Sequence, residues 1–216
     1  VTRSDDAGSK NSGKNQWQRF LACRRGVSAV EFALLAPILI TMFVGGTEIE
    51  EAVVVLRKVT STSYTVANLT TQYDTMTTDD AAIILEAAQM VLQPYPTSSA
   101  QTVVSEISVG SSGQGTIIWS CGLNHAPHTL NANITLPAGT DSSGSAYLIY
   151  GESWYSFTPP VISQFMPTVS GTGQGNSYSL PMYENLYMVP RQSTSIPLTA
   201  GSNTSSGVTC TYPSSS

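Results

Sequence analysis

The residues whose types and spacing could do chemistry fall into a few groups. His125 and His128 form an H-x-x-H pair shortly after Cys121. Zinc would need about two further ligands converging from a defined helix or turn. The segment CGLNHAPH reads instead as a Pro- and Asn-containing loop, and Cys121 is better used in a disulfide, so no metal site is expected. The GTGQG run at 171–175 lacks the strand, the Lys-Ser/Thr pair and the helix of a phosphate loop, and reads as part of a flexible loop over 166–179. No G-x-S-x-G elbow occurs. Asn68, Asn133 and Asn203 begin N-x-S/T triplets, expected by chance in a chain so rich in Ser and Thr. No residue is assigned a catalytic role, no cofactor is implied, and the chain is not expected to be an enzyme.

Glu31 is different. It is the lone charge in an apolar run from Val27 to Gly46. A carboxylate at the centre of a membrane helix costs about 2.5–3.5 kcal/mol on insertion scales, and less near an end. Such a residue asks for a partner. If the chain were cut between Gly26 and Val27, Glu31 would be the fifth residue of the product. The new α-amino group of Val27, on the same or a neighbouring subunit, would be a suitable cation. The competing reading has Glu31 reaching into the headgroups from one turn inside the interface.

The elements that must position these residues follow from charge and periodicity. Six of nine Lys and Arg residues precede position 26: Arg3, Lys10, Lys14, Arg19, Arg24 and Arg25. After Lys58 only Arg191 is basic, and net charge is −5, which argues against a nucleic-acid partner. A basic start, an apolar run and an acidic remainder fit the positive-inside rule, with the N-terminus cytoplasmic. Twenty helical residues span about 30 Å, the thickness of a bilayer core. The alternative, a secretory signal cleaved near Val44–Gly46, suits this run less well, because it is long and a helical pattern continues through it. Apolar or small residues recur at Ile49, Ala52, Val53, Leu56, Val59, Ser63, Val66 and Ala67, so one helix is predicted from about 28 to 70. Pro37 and Gly45-Gly46 are its weak points.

A second helix is predicted over about 80–92, starting at the Thr77–Asp80 cap signal and stopped by Pro94 and Pro96, with Ile83, Ile84, Ala87, Ala88 and Val91 on its apolar side. Short β-prone segments follow near 101–109, 115–121, 129–136, 145–157 and 180–191. The tail from Gly201 reads as polar and loosely ordered apart from whatever holds Cys210. Trp119, Tyr147, Tyr150, Trp154, Tyr155 and Tyr187 are expected mostly in the core or in cross-strand pairs, with a few available for an adhesive face. The fold class is therefore α+β: a long N-terminal transmembrane helix continuing outward, a short second helix, then a small antiparallel β-sheet domain. The chain divides into a basic leader (1–26), a transmembrane helix (27–46), an outer helical region (47–96) and a β-rich outer domain with a polar tail (97–216). Cys23 falls on the reducing side. Cys121 and Cys210 fall outside and are predicted to pair, closing a loop of about 90 residues, for a stabilisation of roughly 4–5 kcal/mol in the chain-entropy model.

The stretch RRGVSAVEFALLAPILI resembles the start of TadE/TadG-like proteins of the tight-adherence (Tad, type IVc) pilus system. There a Gly is followed, after four residues, by Glu and an aromatic at the head of an apolar helix, here Gly26, Glu31 and Phe32. DDAAIILEAAQMVLQPYP, TIIWS, ITLPAGT, YGESWYSFTPP and ENLYMVPR are similar to later segments of the family. The resemblance implies a pilin-like pseudopilin of the bacterial inner membrane, single-pass, with its C-terminal domain in the periplasm or outside. It implies processing by a prepilin peptidase between Gly26 and Val27, and assembly contacts through Glu31 and Phe32. The partners implied are the lipid bilayer, the peptidase, other pilins and the inner-membrane pilus machinery. A leader as long as 26 residues departs from the pattern. The runner-up is an uncleaved bitopic envelope protein acting as a surface adhesin or accessory subunit.

Overall fold

The computed structural model describes residues 24–110, 113–137, 140, 146–161, 163, 179–202 and 207–213, the first four by backbone only. Cys23, the 166–178 stretch with its GTGQG run, and Asn203 lie outside the described residues. One compact unit ends at Ile49 and a second begins at Glu50.

Helix α1 runs unbroken from Arg24 to Thr70, through Pro37 and the glycine pair. Its first part is apolar on every side. Phe32, Leu34, Leu35, Ile38, Leu39, Ile40, Met42 and Phe43 are all exposed, as in a helix whose solvent is lipid. It is long and apolar enough to cross a membrane.

Within the second unit, α1 buries Val55, Val59, Thr62, Ser63, Val66, Ala67 and Thr70 at helical spacing. This corrects the predicted face: Val53 and Leu56 point outward, as does Ile49 in the first unit, while Thr62 and Thr70 point in. Hydroxyls can be buried here because each bonds within the helix. Thr62 donates to the Lys58 carbonyl (2.9 Å) and Thr70 to that of Val66 (2.9 Å). Small residues also let the helix approach the sheet. A Cβ on Gly151 would stand 2.8 Å from the Ser63 carbonyl oxygen and 3.1 Å from the Ala67 Cβ, so only glycine fits under this turn.

Strand β1 (Met76–Thr77) leads into α2 (Thr78–Gln89), and a 3₁₀ turn, Met90–Leu92, completes the segment before Pro94. Thr77 and Asp80 form a reciprocal cap: the Asp80 N–H donates to Thr77 Oγ1 (3.2 Å), and the Thr77 N–H donates to Asp80 Oδ2 (2.9 Å). The buried stripe of α2 is Ala81, Ile84, Leu85 and Ala88, extended by Leu92. Ile83, placed on the apolar side from sequence, is 63% exposed, and Ala87 is exposed too. Ile83 and Ile84 are 100° apart on a helix, and the sheet meets only one of them.

The sheet comprises β2 (Gln101–Val109), β3 (Gln114–Leu123), β4 (Asn133–Thr135), β5 (Ala146–Phe157), β6 (Leu180–Met188) and β8 (Val208–Thr211), all pairs antiparallel, in the order β4-β3-β2-β5-β6 with β8 also on β3. One face packs on both helices through Val104, Trp119, Cys121 and Ile149 against Val66, Ala67, Ile84 and Leu85. The opposite face carries a smaller cluster, Ile107, Ile117, Leu148 and Tyr150, covered by Ile134 and Leu136. A parallel pair, β1 with β7 (Leu198–Thr199), closes the helix side. What holds Cys210 is β8, which zips onto β3, and the predicted pair of Cys121 and Cys210, directly opposite in register, forms a disulfide.

Candidate functional site

Gly26 and Val27 lie in the first turn of α1. Glu31 stands at i+4 from Val27 and is therefore stacked one turn above it on the same helix face. Glu31 and Phe32 are both exposed. Thus the positions singled out for processing and assembly share the head of one helix, whose following turns expose apolar side chains all round.

The outer sheet face carries a second constellation, which sequence reasoning passed over. Glu152 lies mid-strand in β5, 3% exposed, on the face turned away from the helices. Its Oε2 meets His128 Nε2 at 2.5 Å, and its Oε1 accepts the Tyr183 hydroxyl at 2.8 Å. Tyr183 has one proton to give, so its oxygen accepts from the Tyr150 hydroxyl (3.0 Å) and from Asn185 Nδ2 (2.9 Å). The carboxylate beside His128 pushes the imidazole pKa above its ordinary value, against a smaller opposing effect of burial. Burial pushes the Tyr150 and Tyr183 phenols up, keeping both as neutral donors. Around this network the aromatics pair across strands: Tyr150 opposes Tyr187 with centroids 4.5 Å apart, and Trp154 opposes Tyr183 at 5.1 Å. His125 stacks on Trp154, with ring centroids 4.3 Å apart and planes 5° from parallel. The H-x-x-H pair thus converges on no common point: one ring stacks on an indole, the other pairs with a carboxylate, and Cys121 is in the disulfide. The signal that could have found the network was the two-residue alternation Tyr150, Glu152, Trp154 against Tyr183, Asn185, Tyr187, which puts all six on one face.

Glu106 is another buried carboxylate. It lies on the helix-facing side of β2, and its Oε1 accepts the Ile196 N–H at 2.6 Å. Trp119 Nε1 donates to the Ile196 carbonyl at 2.7 Å. Two side chains of the sheet therefore satisfy both backbone groups of Ile196 and hold the 193–199 segment over the core.

A family model described as TadE-like protein matches residues 26–67, from Gly26 through Glu31 and Phe32 into the second half of α1. The match is to the family the boundary motif pointed to, and it covers the helix rather than the sheet domain. No curated protein and no solved structure matches the chain.

Proposed function

We propose that this chain is a minor pilin-like subunit, a pseudopilin, that takes part in assembling, initiating or anchoring a Tad (type IVc) pilus, and that it has no enzymatic role. The observation that carries the reading is the TadE-like match over residues 26–67 on a helix exposed and apolar on all sides at its head. In this reading the basic leader stays cytoplasmic, a prepilin peptidase cuts between Gly26 and Val27, and the apolar helix packs with helices of other pilins. Glu31 then offsets the new α-amino charge, and the domain from Glu50 onward faces out.

N-terminal sequencing of the membrane-extracted protein tests this. Expected is a chain beginning at Val27 in cells that express the peptidase. Gly26→Arg should leave a product larger by about 3 kDa or more, from the mean residue mass of the chain. A wild-type N-terminus upstream of Gly26 in those cells would overturn the pseudopilin reading in favour of an uncleaved envelope protein.

A further inference from the structure

The chain has two histidines, and both sit in the 124–131 segment that lies over the outer sheet face. We propose that this segment is a proton-operated strap, closed when His128 is charged against Glu152 and released when it is neutral, so that ambient acidity controls access to the Glu152–Trp154 face.

The construction supports a strap rather than a rigid turn. Both ends are pinned. Leu123 is the last β3 residue paired to β8, and the Asn131 N–H and Ala132 carbonyl exchange backbone bonds with Ile117, 3.0 Å each. Both ends are also left-handed, Asn124 at φ 58° and Asn131 at φ 60°, a conformation that asparagine tolerates and that lets the chain reverse in one residue. Between the hinges the grip is by side chains. His128 meets Glu152, His125 stacks on Trp154, the His128 N–H donates to Ser120 Oγ (3.0 Å), and Thr211 Oγ1 donates to the His128 carbonyl (2.7 Å). Asn124 Nδ2 adds a bond to the Ala100 carbonyl (3.0 Å). The strap sits directly on the sheet, since a Cβ on Gly122 would meet the His125 carbonyl oxygen.

Among the described residues, the titratable groups around His128 are few. Strand β5 supplies Glu152 and Tyr150 against it, β6 supplies Tyr183 on the far oxygen of Glu152, and His125 of the strap stacks on Trp154 instead. Strands β3 and β8 contribute Ser120 and Thr211, which do not titrate. Glu152 is thus the dominant charge near the imidazole. Because it raises the folded pKa of His128 above 6.5, the pairing contributes in full below that value and is lost as pH rises through the raised one. Thr211 links the event to β8, beside the disulfide. The biological setting rests on the outward orientation proposed above, but the strap itself does not.

Hydrogen exchange of the full chain in detergent micelles, corrected for intrinsic pH dependence, tests the strap at about pH 5.5 and about pH 8, either side of the ordinary histidine range. Expected is faster exchange over 124–131 at the higher pH, with β3 and β5 unchanged. Each unit of raised pKa appears as about a tenfold difference in opening between the two conditions. His128→Gln, which keeps an N–H toward Glu152 but does not titrate, should abolish the difference. His125→Phe, which keeps a ring on Trp154, should preserve it. Equal exchange in the wild type at both pH values, or an undiminished difference in His128→Gln, would overturn the proposal. Should the Gln variant misfold, imidazole NMR of the wild type decides, and a His128 pKa at or below 6.5 overturns it. Failure here leaves cleavage after Gly26 untouched, so the two readings fail separately.

Discussion

Glu106 shows how one buried side chain can set a pH dependence unrelated to function. Burial raises its carboxyl pKa from the ordinary 4.5, and the Ile196 N–H pulls only partly the other way. The folded state therefore holds the proton more tightly than the unfolded chain. The contribution of Glu106 to stability is present in full below about 4.5 and falls as pH rises through the window up to the raised value, by about 1.4 kcal/mol per pH unit where this one proton separates the states. Glu106→Gln keeps an acceptor for Ile196 and cannot ionise. Urea unfolding across pH should show that slope in the wild type and lose it in the variant. Neither this residue nor Glu152 could be assigned a buried role from sequence. A Glu in an alternating strand reads as a solvent-facing position, and only the covering of both sheet faces, by helices on one side and by the 124–136 segment on the other, makes it an interior one.

Among the elements, α2 depends on its cap. Thr77 and Asp80 satisfy two orphan N–H groups of the first turn, and their acidic partner also suits the positive end of the helix. Thr77→Ala should destabilise the domain from Glu50 onward by about 1 kcal/mol, and Thr77→Ser should recover most of it, read as the urea midpoint followed by fluorescence of the buried Trp119. The cap was legible because Thr-Thr-Asp-Asp before an apolar run is a local signal. The inward face of α2 was not, because Ile83, Ile84, Ala87 and Ala88 are equally apolar neighbours. The same holds for α1, where hydrophobicity favoured Val53 and Leu56 while the sheet selected Thr62 and Thr70, whose hydroxyls bond back to their own helix.

At the scale of the whole molecule, the role proposed for Glu31 lies in assembly rather than in the fold. A buried ammonium left without its carboxylate is destabilising, typically by about 3–5 kcal/mol. Glu31→Ala and Glu31→Gln should both insert, since losing a charge favours insertion, and should leave the domain from Glu50 onward folded. Both should lose co-purification with pilin partners, and cells should lose pili. Normal piliation and co-purification in both variants would reduce Glu31 to an interfacial residue. The disulfide works at this scale too. It joins positions 89 residues apart, so it ties β8 covalently to β3 at the pair where the two strands are in register.

Sequence by itself determined the long apolar helix, the TadE-like motif at its head, the second helix and the extents of β2, β3 and β5 to within a residue or two. These rest on interactions local in sequence: helical period, caps, alternation and the thickness of a bilayer. Tertiary structure alone decided β8, the β1–β7 pair, which helix faces turn inward, and the His128–Glu152–Tyr183 network. Each of these depends on partners 24 to 123 residues away. A strand of two to four residues has no periodicity to read, and a loop histidine acquires its chemistry only from the carboxylate that folding places beside it.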